Sequence, residues 1–301
     1  MSEFATGPVR VQVPATSANL GPGFDALGLA LAVHDVLTAE VIDAGLVIEV
    51  EGAGADDVPR DESHLVVRAL RRTLAELGVE PPGVRLQCRN AIPHSRGLGS
   101  SAAAIVGGVL LARGLVADAR AGMSDGAALA LAADLEGHPD NVAACLLGGL
   151  TIAWLQDGNA RAVRRDVDQA VVPVVFVPPF TASTELARGL LPDAVPHVDA
   201  AFAAGRAALL VASLTGTPQA LFDATEDRLH QSYRASAMPE AYQLVEQLRA
   251  ADHPAVISGA GPTVLVLARG EVEATAASEQ APQGWAVRVV PIDPTGARQI
   301  S

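Results

Sequence analysis

Residues 93–104, PHSRGLGSSAAA, constrain the fold of this chain more than any other stretch. They follow an alternating segment, 84–92 (VRLQCRNAI), which predicts a half-buried strand. They run into apolar residues 102–111, which predict a buried helix. Gly97 and Gly99 let the backbone turn between the two without a Cβ clash. Ser100 and Ser101 fall where the helix begins, beside N–H groups with no intrahelical acceptor. A helix start carries partial positive charge and binds phosphate. The unit is therefore predicted to hold the phosphates of a nucleotide.

Two common solutions to that task fit poorly. All 21 basic residues are arginine and none is lysine, so a Walker P-loop, Schiff-base chemistry and a lysine general base are excluded. Gly97-Leu98-Gly99-Ser100-Ser101-Ala102 does match G-x-G-x-x-A, with Asp118 near the position a dinucleotide fingerprint wants. However, the preceding strand alternates instead of being continuously apolar, and Asp118 falls at a helix end. Pro93-His94-Ser95-Arg96 is also a longer polar entry than a tight dinucleotide turn needs.

Composition narrows the class. Half of the 301 residues are hydrophobic, enough for a sizeable core, and only 3% are aromatic, so that core is built from Ala, Val and Leu. A net charge of -13 argues against nucleic acid or an anionic membrane as partner, though a local site can still bind an anion. Cys88 and Cys145 are too few for a disulfide framework and read as small buried hydrophobes. The N-terminus, MSEFATGPVR, does not resemble a signal peptide, and no uninterrupted apolar run is long enough for a bilayer. A cytoplasmic protein is expected.

In chain order, 9–13 predicts a strand ended by Pro14, and 15–25 (ATSANLGPGFD) a polar binding loop. Strands are expected at 26–42 and 46–50, then an amphipathic helix at 63–77 burying Leu65, Val66, Ala69, Leu70, Thr73 and Leu77 and stopped by Gly78. Another helix starts at Ser124, and Gly137 and Pro139 break it. Asp140 then reads as N-cap of a helix over 142–147. Residues 134–141 (DLEGHPDN) are either a capped turn or a metal carboxylate with polar companions. A strand at 150–155 and a turn at Asp157-Gly158-Asn159 follow, and the domain boundary is placed there, giving 1–156 and 157–301. The second half predicts strands at 170–177 and 285–291, two strands around a turn in 255–268, and helices at 183–189, 198–214, 220–229, 239–250 and 271–280. Without a βαβα rhythm the class is α+β in two sub-domains.

Residues 93–104 resemble the phosphate loop of the GHMP kinases, the superfamily of galactokinase, homoserine kinase and mevalonate kinase. Residues 14–25 (PATSANLGPGFD) are similar to that superfamily's first motif in its homoserine kinase form, and 258–263 (SGAGPT) to its third. Residues 136–143 (EGHPDNVA), Tyr233-Arg234 and Met238-Pro239 also resemble the homoserine kinases. The resemblance implies ATP-dependent phosphorylation of the side-chain hydroxyl of L-homoserine, on the way to threonine. It implies a ribosomal protein S5 domain 2-like N-terminal domain and a ferredoxin-like C-terminal domain, with ATP on the loop between them. A homodimer is compatible with it.

By that resemblance ATP contacts Pro93, His94, Ser95, Arg96, Gly97, Leu98, Gly99, Ser100, Ser101, Ala102 and Ala103. Many relatives have Asn ahead of the Leu-Val pair that opens the first helix. Here Ser63-His64 stands there, which leaves adenine recognition open with His64 as candidate. Glu136 is the implied Mg²⁺ carboxylate, with Ser100 or Ser101 as hydroxyl partner. Asn19, Asp25, His138, Arg188 and Arg234 are the implied homoserine contacts, the arginines suiting its carboxylate. Asn141 would orient the acceptor hydroxyl, with Asp140 adjacent. Some members of the superfamily use an Asp assisted by Lys as base, a pair that a lysine-free chain cannot form. Catalysis mainly by positioning and electrostatics is therefore expected, of which proximity alone can give ~7–11 kcal/mol, with Asp140 either a base or only a helix cap. A mevalonate or sugar kinase, or a silent ATP-binding sensor, are the rival readings.

Overall fold

The computed structural model describes residues 4–117 and 122–301, so Asp118 lies outside the described residues. The chain forms β1 (Val9–Ala18), β2 (Leu27–Val41), β3 (Gly45–Gly52), α1 (Leu65–Glu76), β4 (Gly83–Asn90), α2 (Ser100–Leu115), α3 (Asp125–Glu136), α4 (Asp140–Leu147), β5 (Leu150–Gln156) and β6 (Asn159–Arg165). It continues through β7 (Val171–Val177), α5 (Thr184–Gly189), α6 (His197–Gly216), α7 (Leu221–Ala224), α8 (Gln231–Arg234) and α9 (Pro239–Ala250). The last elements are β8 (Ala255–Ile257), β9 (Val264–Arg269), α10 (Glu271–Ser278), β10 (Ala286–Val289) and β11 (Arg298–Ile300).

The first sheet has seven strands, with β11-β1-β2-β4-β3 in order, β5 added to β2 and β6 to β5. β4 pairs antiparallel with β2 and parallel with β3. Its alternating burial, with Leu86 and Cys88 inside and Gln87 and Arg89 outside, follows from covering the sheet on one face. This removes the dinucleotide alternative, which needs a doubly covered parallel strand. α2 and α4 pack on the sheet, and α1 and α3 pack against α2. A Cβ on Gly108 would meet the Val66 carbonyl, which is how α1 and α2 approach closely.

The second sheet is antiparallel, ordered β10-β7-β9-β8. Its two faces belong to different cores. Leu265 and Leu267 of β9 join the core of the first unit, while Val264, Val266 and Ala268 pack in a second core with α9 and α10 residues. A sheet buried on both sides explains the apolar runs at 170–177 and 264–268.

The architecture is α+β with two units, but several boundaries differ from expectation. β1 does not stop at Pro14; it runs on to Ala18 through a register shift between Pro14 and Ala15. Proline removes one ladder donor, and the bulge absorbs that loss. The expected division at 156/157 falls inside the β5–β6 hairpin, whose strands pair along their whole length in the first sheet. β11 also returns to that sheet beside β1. The helix expected over 220–229 ends at Ala224. Beyond it the Asp227 carboxylate accepts the backbone N–H groups of Leu229, His230 and Gln231, a local alternative to helix bonds. Asp140 is the first residue of α4, with Pro139 at the cap position. Among the described residues α6 has the length and hydropathy of a bilayer-crossing helix. It carries Asp199 and Arg206, paired with Arg228 and Glu226.

Candidate active site

Three glycine-rich segments, far apart in sequence, are laced together. Leu98 accepts from Thr16 N at 3.0 Å, Ala18 accepts from Gly259 N at 3.0 Å, and Arg96 accepts from Thr263 N at 3.2 Å. The Ser258 hydroxyl, wholly buried, contacts Gly97 O at 2.6 Å and Ser17 Oγ at 2.8 Å. These bonds fix 14–25, 93–104 and 258–263 as one rigid rim. The backbone there is held in the left-handed region at four residues other than glycine: Asn19 (φ 67), Leu20 (φ 51), Asp25 (φ 53) and Ser95 (φ 54). Such strain persists only where surrounding contacts over-determine it.

Along this rim lies a cleft of about 190 Å³. It is lined by Asn19, Ser95, Arg96, Gly97, Gly99, Ser100, Ser101, Glu136, His138, Asp140, Asn141, Arg188 and Arg234, so the structure gathers most of the expected residues in one place. Gly99 caps α2 at φ 68, and a Cβ there would overlap the Thr16 hydroxyl. A second, largely apolar cavity of about 240 Å³ shares Ser95, Ser100 and Ser101 with the cleft and includes His64 and His94. Asp25, Pro93, Leu98, Ala102 and Ala103 line neither; Asp25 reaches the cleft only through its partner Arg188, and Leu98, Ala102 and Ala103 are buried behind the loop.

The acidic end is built from α3 and α4. Glu136 ends α3, where Gly137 at φ 89 stops the helix, and its Oε1 accepts from Ser101 Oγ at 2.6 Å. Burial pushes the Glu136 carboxyl up, and the nearby Asp140 charge adds to this against the Ser101 bond. Asp140, 2% exposed, keeps its side chain in the cleft instead of turning away as a cap. Its Oδ1 meets His138 Nδ1 at 2.7 Å and accepts from Asn141 N at 2.7 Å. The Asp140 bond raises the His138 pKa. Asn141 Oδ1 accepts from Thr16 Oγ1 at 2.8 Å, which orients the amide across the loop.

The basic end comes from α5, α8 and the first loop. Arg188 and Asp25 form a two-point ion pair. Arg234 is 2% exposed, with Nε donating to Ala187 O at 3.2 Å and Nη1 to His230 Nδ1 at 3.3 Å, over the Phe24 ring. Burial and then the Arg188 charge lower its pKa. Its Nη2 has no protein partner among the described residues, and Arg234 lines the cleft. Asn19 is already satisfied within the loop, donating to Gly259 O and accepting from Asp25 N, each at 2.9 Å.

Sequence reasoning assigned no role to Thr16, His230 or Asp35. Asp35 Oδ1 accepts from Ala91 N and Ile92 N at 2.7 and 2.9 Å, bracing the entry to the phosphate loop. Burial pushes its carboxyl up to about 6. His230 sits four residues before Arg234 on one helical turn, a spacing that could have drawn attention to it.

Known proteins resemble this chain over its whole length. The profile of the GHMP kinases N terminal domain matches residues 64–149, and that of the GHMP kinases C terminal domain matches 206–287. The homoserine kinase of Streptomyces avermitilis is 56% identical over 294 residues, covering 98% of this chain and 96% of that protein. The homoserine kinase of Streptomyces coelicolor is 55% identical, covering 98% and 95%. In structure, homoserine kinase from Cytophaga hutchinsonii superposes with a TM-score of 0.86 at 25% identity, covering both chains completely. The mevalonate kinase of L. major shares the fold, with a TM-score of 0.69 at 16% identity and 98% coverage of each chain.

Proposed function

This chain belongs to the homoserine kinases of the GHMP superfamily, and from that premise we infer how its cleft moves a phosphoryl group from ATP to the side-chain hydroxyl of L-homoserine. The observation that carries the reading is that a single cleft gathers an anion-binding helix start, an acidic cluster and two arginines.

ATP lays its triphosphate along Ser95 to Ser101, taking backbone N–H groups and the Ser100 and Ser101 hydroxyls at the start of α2. Arg96 faces the same cleft, but its guanidinium already donates to the carbonyls of His94, Pro178 and Pro179, so it acts mainly as a strut. The adenine enters the adjoining cavity. There His64, only 5% exposed, keeps Nδ1 without a hydrogen-bond partner. Burial, then Arg60 and His94, lower its pKa, so the ring stays neutral and offers the base one uncommitted ring nitrogen.

Mg²⁺ fits the residues present. Glu136 and Ser101 put a carboxylate and a hydroxyl oxygen together beside the phosphate loop, the hard oxygen donors this ion takes alongside phosphate and water. No group of three or more His, Cys, Asp or Glu among the described residues could hold a metal alone, which suits an ion arriving with its nucleotide. When bound, it neutralises charge on the β- and γ-phosphates.

Homoserine brings a carboxylate and an ammonium. The Arg188–Asp25 pair offers one partner for each, so a zwitterion can insert between them and exchange one ion pair for two. The spare Arg234 Nη2 supplies a second donor to the carboxylate. The acceptor hydroxyl then meets Asn141, held by Thr16, and His138, held by Asp140. Asp140 spends Oδ1 on these neighbours and acts as their organiser. The hydroxyl oxygen bonds to the γ-phosphorus as the bond to ADP breaks, its proton passes to a phosphate oxygen, and positioning and charge stabilisation carry the rate. The enzyme is placed in the cytoplasm as part of this reading.

The test is a coupled assay with MgATP and L-homoserine, L-threonine, L-serine, mevalonate and galactose as acceptors. Turnover should be selective for homoserine. Faster turnover of mevalonate or galactose would overturn the acceptor assignment, and ATP binding without turnover would support a sensor.

A further inference from the structure

His230 contributes nothing to the chemistry described so far, yet it is wholly buried beside it. Its Nε2 lies 2.9 Å from Gly21 O, and a carbonyl only accepts, so Nε2 carries the proton. Its Nδ1 lies 3.3 Å from Arg234 Nη1, and a guanidinium only donates, so Nδ1 is the acceptor. The two contacts together define one neutral tautomer. The ring also lies against Phe24, centroids 5.1 Å apart, and Phe24 carries the Arg234 guanidinium on its face.

We propose that His230 is a positioning residue for substrate. As the neutral Nε2–H tautomer it ties the Arg234 guanidinium to the Gly21 turn of the first loop, leaving Nη2 free to face the homoserine carboxylate. This rests on the reading that Arg234 receives that carboxylate. The same link makes the basic end and the Asn19–Asp25 loop a single body, so the donor for the carboxylate and the acceptor for the ammonium keep a set separation. Protonation of His230 would remove the acceptor that Arg234 uses and place a second cation beside it. Three charged groups face the ring: Asp227 and Arg234 from its own segment and Asp25 from the first loop, the last already paired with Arg188. Burial keeps the imidazole below its ordinary pKa, against the pull of Asp227.

The experiment compares His230→Leu, which has neither donor nor acceptor, with His230→Gln, which keeps both. Initial rates are measured with L-homoserine and with 3-aminopropan-1-ol, the same acceptor without its carboxylate. His230→Leu should raise the homoserine KM about tenfold or more, the scale of a hydrogen bond to a charged group, with the ATP KM within about twofold. His230→Gln should recover most of this, and the penalty should vanish with 3-aminopropan-1-ol. Equal rises in both KM values, no recovery in His230→Gln, or a penalty that persists without the carboxylate would each overturn the proposal. Arg234→Met separates it from its premise. If that change leaves the homoserine KM untouched, the carboxylate assignment itself fails. If it raises the KM while His230→Leu does not, only the role of His230 fails. Should His230→Leu not fold, the pH profile decides. The wild-type homoserine KM should show a climb in acid, below the ordinary imidazole range, that His230→Gln abolishes; a climb in that range left unchanged by His230→Gln refutes the proposal.

Discussion

Arg188 and Asp25 lie 163 residues apart in sequence and meet as a two-point ion pair, Nη2 to Oδ1 at 2.9 Å and Nη1 to Oδ2 at 3.3 Å. Both groups are more than a third exposed, so the pair adds little to stability. In the proposed function its value lies in substrate binding. Arg188→Met and Asp25→Asn should each lower kcat/KM for homoserine about 10- to 100-fold, the scale of a charged hydrogen bond. The ATP KM should stay within about twofold. Steady-state kinetics with each substrate varied in turn would check this, and a matching rise in the ATP KM would contradict it.

Asn141 and Asp140 should separate in kcat. Loss of an orienting group can cost about 10²-fold in rate, and Asn141→Ala is expected near that value. Thr16→Val removes the bond that aims the amide and should cost about tenfold, by the same reasoning. If Asp140→Ala instead costs several orders of magnitude while Asn141→Ala costs almost nothing, Asp140 is the base and the positioning mechanism is wrong.

His64 should affect the nucleotide alone. Its Nδ1 is buried without a partner in the cavity beside the phosphate loop. His64→Ala should raise the ATP KM about tenfold, the loss of one hydrogen bond in a dry site, and leave the homoserine KM unchanged. Competition with other purine nucleotides would show weaker discrimination by the variant. A homoserine KM that rises instead would place His64 outside the adenine site.

Asp293 should dominate acid stability. It anchors the segment that carries β11 back to β1: Oδ1 accepts from Thr295 N and Gly296 N at 2.8 Å each, and Oδ2 meets His34 Nε2 at 2.5 Å. Burial alone would raise its pKa, but His34 and those N–H groups hold the carboxyl well below the usual range. A depressed carboxylate contributes stability above its unfolded value of 3.8 and loses it as pH falls toward the folded value. Asp293→Asn should therefore cost about 2–4 kcal/mol at pH 7, and the gap to wild type should close below pH 3.8. Denaturant titration across that window is the measurement; a gap that persists unchanged into acid would rule out the ionic origin.

How much could be read without coordinates varies with the range of the interaction. α9 begins and ends where the sequence pattern places it, because Pro239 and an apolar stripe act locally. Gly78 stops α1 at φ 73 for the same kind of reason. The sequence places a boundary at the β5–β6 hairpin because Asp157-Gly158-Asn159 marks a turn, and a turn signal is silent about which sheet its strands join. Likewise, Asp140 resembles a cap by spacing, whereas its role depends on His138 and Asn141 folding over one oxygen.

The sequence by itself determined the phosphate loop, since glycines ahead of two serines at a helix start dictate an anion site, and the absence of lysine dictates how that site must work. Its motifs also carried the resemblance to homoserine kinases. Only the tertiary structure decided which expected contacts have spare hydrogen-bonding capacity. Asn19 spends its amide on Gly259 and Asp25, while Arg234 keeps Nη2 because His230 and Ala187 take the rest. Partner choice of this kind depends on distances between segments that are separated in sequence, up to 240 residues for Asn19 and Gly259. No local pattern encodes those distances; the packing of the second sheet against the first core sets them.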